Sequence, residues 1–333
     1  MKRAGGLYPK IIEFDNIYLA AHKALRGKKL SIDAAKYNFN LENEILNLQF
    51  DLINQNYQLK PYQVFEILEP KFRKICAANF RDRVLHHSVC NILEPIFERR
   101  FIYDTYACRV GKGTHKAIAR VQLFARKSSY YLKCDIKKYF ESIDHEILRN
   151  LLRKIIKDAD VLLLLNQIID HSVPGAARGK SVPIGNLTSQ HFANIYLGEL
   201  DHFLKDRLAL RGYVRYMDDF ICFADEKEDL HYLLDKIKIF LTEQLCLSLK
   251  EKVTRIAPVS EGVPFLGMRI FKNLIRIQRP NLIRCRQKIR EREHQYQSGT
   301  IDEKTLLQSV SSLLGHISHA NSFTLRRKEF AID

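Results

Sequence analysis

The sequence predicts a mixed α+β fold, a sheet of mainly antiparallel strand pairs with helices on one face. Three observations predict it. Runs with helical spacing of apolar residues alternate with short runs rich in β-branched and aromatic residues. Two of the latter, GYVRYMDDFICFA at 212–224 and PVSEGVPFLGMRIF at 258–271, read as hairpins, which join antiparallel strands. No internal repeat and no long flexible linker divides the chain. A doubly wound parallel sheet would instead place a helix after nearly every strand.

The elements follow in order. Residues 10–60 read as helical: Ile11, Ile12, Phe14, Ile17, Tyr18 and Ala21 recur at near-helical spacing, as do Leu41, Ile45, Leu48 and Leu52. Val64–Leu68 is a strand run, and EPKFRKICAANFRDR after it alternates basic with apolar residues. Leu85, Val89, Ile92, Leu93 and Ile96 mark a helix with Pro95 inside it, where a break or kink is expected. YDTYACRVGKGT, at 103–114, is a loop. Its two glycines among basic residues suit either a plain turn or a phosphate cradle. YYLKCDI, at 130–136, is a strand containing Asp135, and helices are expected at His145–Ile156 and Asp160–Ile169. The glycine- and proline-rich SVPGAARGKSVPIGNLTSQ is a loop, followed by a helix with Ala193, Leu197, Leu200 and Leu204 on one face. After the first hairpin, Leu230, Leu233, Leu234, Ile237, Leu241 and Leu245 define one amphipathic helix. Leu247–Ile256 is expected as a strand, and from about Asn281 the chain turns helical and basic.

A chain of 333 residues, 46% hydrophobic and 28% charged, buries a substantial core in one elaborate domain or a few subdomains. It has no apolar run of membrane-spanning length, and MKRAGGLYPKIIEF is basic without the apolar core of a secretory signal. Seven cysteines are scattered without a CxxC pair, which fits reduced residues in a cytoplasmic protein. The net charge of +16 favours a polyanionic partner over a membrane surface. The basic residues are spread over the whole length, as a long positively charged channel requires.

Met217-Asp218-Asp219 lies between the two apolar runs of the first hairpin. Adjacent carboxylates repel and resist dehydration unless a cation or base compensates them. An ordinary polar turn is one reading, since Asp is a common turn residue. Divalent metal is the other. Transfer of a nucleotide to a 3′-hydroxyl uses two such ions about 4 Å apart, held by carboxylates from different strands. Asp135, Asp218 and Asp219 are candidates for that set, with the carbonyl of Ile136 as a further ligand. Mg²⁺ prefers oxygen and keeps water and substrate phosphate in its shell, so two or three carboxylates suffice.

LKCDIKKYFESIDH, VPIGNLTSQHFANIYL, RYMDDF and PFLG, in that order, resemble the palm motifs of reverse transcriptases. The resemblance extends from about Val64 to the C-terminus. It implies a right-hand polymerase fold, with N-terminal helices and fingers at 1–134, a palm at 135–270 with a fingers-like insertion near 145–180, and a thumb at 271–333. It implies RNA-templated DNA synthesis with two Mg²⁺ ions, or Mn²⁺ in their place, on Asp135, Asp218 and Asp219. Asp219 is the least certain direct ligand of the three. Template RNA, a primer or cDNA strand and dNTPs are the implied partners, with no membrane. Phe140 stands where the family places the aromatic that abuts the sugar 2′ position; alone it would read as core packing. Lys71 and Arg73 match the fingers contacts to the triphosphate, with Arg81 and Arg83 as alternatives. Lys252 matches a late palm lysine on the pyrophosphate side, with Lys250 an equal candidate. Tyr216 and Met217 match contacts to the primer terminus, and Phe265, Leu266 and Gly267 the hairpin that supports it. Arg109, in TYACRVGKGTHKA, is assigned to primer or template.

Within the family the chain is most similar to the enzymes of diversity-generating retroelements, whose nucleotide-pocket motif reads IGxxxSQ. Here it is Ile184-Gly185-Asn186-Leu187-Thr188-Ser189-Gln190. Gly185 lets backbone approach template or nucleotide, and Gln190 belongs to the nucleotide pocket. Ile184 stands where many relatives have Gln, and an aliphatic side chain removes a polar clamp near the new base pair. The resemblance therefore implies copying with errors at template adenines, a small basic accessory protein that binds the RNA, and a bacterial or phage-encoded cytoplasmic enzyme. Alternatives are a reverse transcriptase of group II intron, retron or phage-defence type, and a non-catalytic RNA-binding cofactor. No segment of HNH or RNase H size follows the thumb, so target cleavage and template removal are expected from elsewhere.

Overall fold

A computed structural model describes residues 2–28, 31–68, 72–171 and 173–330. The helices are α1 (Tyr8–Ile11), α2 (Phe14–Leu25), α3 (Ile32–Phe39), α4 (Leu41–Ile53), α5 (Phe80–Glu98), α6 (Thr114–Lys127), α7 (Tyr139–Ser142), α8 (His145–Ile155), α9 (Ala159–Asp170), α10 (Leu187–His202), α11 (Lys227–Leu245), α12 (Arg279–Gln297), α13 (Glu303–Ser318) and α14 (Phe323–Phe330). The strands are β1 (Gln63–Ile67), β2 (Arg73–Ala77), β3 (Tyr130–Asp135), β4 (Gly212–Tyr216), β5 (Asp219–Ala224), β6 (Arg255–Pro258), β7 (Val263–Phe265), β8 (Met268–Ile270) and β9 (Ile275–Ile277). Every ladder between these strands is antiparallel, as the two hairpin patterns predict. The chain groups into two compact units, each assembled from separated segments rather than from consecutive blocks.

The first unit comprises 1–103, 136–208 and 237–249. Its core is helical: α5 packs against α2 and α10, with Ile11, Ile17, Ile45, Leu48, Val84 and Leu93 fully buried. α5 runs through Pro95 to Glu98 without a break. The proline sits in the last turn, where only one intrahelical bond is lost. α10 buries residues on nearly every side, not one face, which is why its apolar spacing reads weakly as amphipathic. Asp144 and Asp158 cap α8 and α9 by accepting from backbone N–H groups of their first turns. The carboxylate of Asp158 also accepts from the backbone of Leu7 and Tyr8, which fixes α1. β1 and β2 form a two-stranded ladder from Gln63↔Ala77 to Ile67↔Arg73.

The second unit comprises 104–135, 209–236 and 250–333. Its four-stranded sheet has the order β4-β5-β3-β6. α6 packs on β4 and β5, and its Val121 shares a core with Tyr131, Val214, Ile221, Phe223 and Phe265. The second hairpin gains a third strand, β9, which the sequence did not announce. Leu247–Ile256 is not one strand. Leu249 makes a single bridge to Ile136, a 3₁₀ turn occupies Glu251–Val253, and β6 starts only at Arg255. α12 and α13 pack as a pair over Cys285, Ile289 and Ile317.

Candidate active site

The two strands of the first hairpin pair from Gly212↔Phe223 to Tyr216↔Asp219, so Met217 and Asp218 alone make the turn. Met217 has φ 58°. A positive φ at the first of two turn residues is the type II′ pattern, which favours glycine there. A side chain in that conformation costs about 1–3 kcal/mol, and such strain collects at functional sites. β3 pairs with the other edge of β5, and the last register pair is Asp135↔Asp219. The two carboxylates are therefore direct cross-strand neighbours, an unfavourable pairing of like charges, and Asp218 is the next residue along the turn.

Lys133 relieves part of that repulsion. It lies two residues before Asp135 on the same strand face. Its Nζ donates to Oδ2 of Asp219 at 3.1 Å and to the carbonyl of Pro264 at 2.9 Å. Oδ1 of Asp219 is buried with no hydrogen-bond partner among the described residues. Burial pushes the Asp219 carboxyl up to about 6, against the pull of Lys133, with Asp135 and Asp218 adding to the push. Among the described residues, no three His, Cys, Asp or Glu side chains are gathered closely enough to hold an ion as they stand. The donor set fits a divalent cation in kind. It is carboxylate oxygen throughout, it comes from two strands and a turn, and it contains an oxygen that lacks a partner among the described residues.

Residues 56–270 match the family described as reverse transcriptase (RNA-dependent DNA polymerase). The chain belongs to the reverse transcriptase family. Protein YkfC of Escherichia coli is 26% identical over 272 residues, covering 69% of this chain and 71% of that protein. The group II intron-encoded protein LtrA of Lactococcus lactis is 24% identical over 381 residues, covering 92% of this chain and 61% of the relative. Among solved structures, telomerase from Candida tropicalis superposes with a TM-score of 0.53 at 14% identity, covering 89% of this chain and 64% of that one. That likeness fixes the fold as the right-hand polymerase fold. The chain spans 61% of LtrA and 38% of another relative, a putative intron protein of Saccharomyces cerevisiae.

The remaining reverse transcriptase candidates divide between the two units. In the second unit, Phe265 is fully buried in β7, and Leu266 and Gly267 make a two-residue turn with φ 47° and 83°. The carbonyl of Gly267 accepts from the backbone of Gln278 and the side chain of Asn281, each at 3.0 Å, which ties this turn to α12. Tyr216 accepts a hydrogen bond from the Thr114 hydroxyl at 3.3 Å. Lys252 is exposed on the 3₁₀ turn. The backbone N–H of Lys250 donates to the carbonyl of Asp135 at 2.8 Å, so Lys250 is the lysine whose main chain is fixed beside the carboxylates. Arg109 donates through Nη1 to the carbonyl of Thr105 at 3.0 Å, inside its own loop. The glycines of that loop have φ 72° at Gly111 and 105° at Gly113, and Gly113 donates back to Tyr106 at 3.1 Å.

In the first unit, Phe140 sits in the short helix α7, and its carbonyl accepts from Val182 at 2.9 Å. Ile184 is half-buried, and its carbonyl accepts from the N–H of Cys76 in β2 at 3.0 Å. Gly185 has φ 129°, and a Cβ there would stand 2.9 Å from the Cys76 carbonyl, so no other residue fits. Asn186 donates to the Tyr62 hydroxyl at 3.1 Å. Ser189 and Gln190 lie in the first turn of α10, Ser189 buried and Gln190 half-buried. Arg73 is exposed at the start of β2, while Arg81 pairs with Asp51 at 2.9 Å. Lys71 lies outside the described residues. Ile136 belongs to this unit, bridging to Leu249. Sequence reasoning passed over Lys133, Arg215 and Asn186. The period of two along β3 was the available signal for Lys133; Asn186 depends on its contact with Tyr62, and the burial of Arg215 on the distant segment Asp104–Tyr106.

Proposed function

We propose that the chain copies a template RNA into DNA by joining dNTPs to a primer 3′-hydroxyl. The observation that supports it is the cross-strand pairing of Asp135 with Asp219 beside a two-residue turn carrying Asp218. These carboxylates are the residues that would hold a pair of Mg²⁺ ions, or Mn²⁺ in their place, with the Ile136 carbonyl as a further ligand. Bound there, the metal pair supplies charge stabilisation at the attacking and leaving oxygens. Lys133 orients Asp219 through its Oδ2, leaving Oδ1 for the cation. Phe140 excludes a ribose hydroxyl by its bulk. Arg73 and Lys71 hold the triphosphate, and Lys250 or Lys252 stands on the pyrophosphate side. Ile184, Gly185 and Gln190 line the nucleotide pocket. Tyr216, Met217 and the Phe265-Leu266-Gly267 turn support the primer end, with Arg109 on primer or template. In this reading the N-terminal helices and β1–β2 serve as fingers, the four-stranded sheet as palm and α12–α14 as thumb. The +16 charge makes template binding steeply dependent on salt.

The finer reading is that of a diversity-generating retroelement, working in the cytoplasm with a small basic accessory protein and copying with errors at template adenines. Ile184 in IGNLTSQ supports it, through the missing polar clamp. The likeness to LtrA supports a group II intron type instead. Primer extension on an RNA template with Mg²⁺ tests the reaction: Asp218→Ala abolishes incorporation and leaves RNA binding intact. Incorporation that survives this change overturns it. Sequencing of the cDNA separates the two types, since Ile184→Gln lowers misincorporation opposite adenine only if Ile184 is the cause.

A further inference from the structure

Arg215 is the largest fully buried side chain among the described residues, with no exposed surface. Taking a guanidinium out of water is costly, and an apolar side chain of similar volume would serve stability as well or better. What an apolar side chain cannot do is donate in a fixed direction. Nη1 of Arg215 donates to the carbonyl of Met217 at 2.9 Å. That carbonyl belongs to the turn residue held at φ 58°, and it lies in the same peptide plane as the N–H of Asp218. Fixing the oxygen fixes the plane, and with it the direction in which Asp218 leaves the turn.

Arg215 is itself held from behind. The backbone of Asp104–Tyr106 lies parallel to β4, with Arg215 N–H donating to Asp104 at 2.9 Å and Tyr106 N–H donating to Arg215 at 3.0 Å. Asp104, Thr105 and Tyr106 are all buried. The Asp104 carboxylate accepts from Nε of Arg120 on α6 at 2.7 Å. The support thus runs from α6 through Asp104–Tyr106 to Arg215 and on to the strained turn, wholly inside the second unit.

We propose that Arg215 is a positioning residue that holds the Met217 peptide in its left-handed conformation and so aims Asp218 at the metal and the reacting phosphate. It rests on the polymerase reading, and its test separates the two. Arg215→Met and Arg215→Lys are prepared in the full chain. Single-turnover incorporation is measured per active site, with active sites counted by burst amplitude. Arg215→Met lowers the rate per active site by about 100-fold, the scale of an ångström-sized misplacement. The apparent affinity for dNTP and for template–primer stays within about threefold. Titration with Mn²⁺ followed by electron paramagnetic resonance shows affinity falling by about tenfold. Arg215→Lys keeps the charge, loses the fork and falls between. Combining Arg215→Lys with Met217→Gly reduces the penalty of the lysine change, because glycine adopts the turn conformation unaided.

A rate per active site within about threefold of the parent overturns the proposal, as does a loss confined to the active fraction. Failure of every Arg215 variant to fold also overturns it, in favour of a purely structural arginine. If the parent extends no primer, the polymerase reading falls, and the Mn²⁺ titration still decides the role of Arg215.

Discussion

Two turns of the second unit, each of two residues, solve the same geometric problem differently. Leu266-Gly267 has positive φ at both positions, places glycine at one of them, and is tied through its carbonyl to α12. Met217-Asp218 has positive φ at the position where glycine is favoured, yet carries methionine there and a carboxylate next to it. The first turn has glycine at one of its two left-handed positions and leucine at the other. The second has no glycine, and two buried or half-buried cations brace it: Arg215 on the Met217 carbonyl and Lys133 on Asp219. Local rules are broken where a side chain has another task, and the compensation is found nearby, buried and charged.

Four changes break or sharpen this contrast. The largest effect is expected for Asp135→Ala, which lowers primer extension by about 10²–10³-fold or more. The same change removes the like-charge pair with Asp219, so the urea midpoint of the metal-free protein rises, by about 0.2–1 kcal/mol in stability. A carboxylate that served only the fold would show the reverse. Next is Lys133→Met, which takes the donor from both Asp219 and Pro264. It costs about 1.5–3 kcal/mol in urea unfolding and slows incorporation as well, since Asp219 loses its orientation. Gly267→Ala places a Cβ at φ 83° and costs about 1–2 kcal/mol, read in the same unfolding experiment. Extension per active site falls less than for Lys133→Met, because the turn lies one step further from the carboxylates. The smallest effect is a gain. Leu266→Asn suits the left-handed conformation better and raises stability by about 0.5 kcal/mol. The turn at Met217 offers no such silent improvement, since any residue placed there also meets the site.

The sequence made the Met217-Asp218 turn legible and left its supports hidden. Two strand runs around Asp218-Asp219 and a third ending at Asp135 follow from a period of two and from the cost of adjacent carboxylates. The antiparallel ladders and the helix boundaries of α6, α8, α9 and α11 follow from local pattern. Register does not. That Asp219 faces Asp135, and that Asp104–Tyr106 runs beside Arg215, are outcomes of packing between segments far apart in the chain. The stretch before β6 mixes a bridge with a 3₁₀ turn although its apolar residues alternate like a strand. The grouping of non-consecutive segments into two units is likewise invisible to any window moved along the sequence.

The contact between Cys76 and Ile184 has a mechanical consequence. With its carbonyl bonded to β2 and Gly185 pressed against the Cys76 oxygen, the loop is in effect a third rung on the β1–β2 ladder. Hairpin and loop then form one lever. A displacement of β2 therefore carries Ile184 and Gly185 with it.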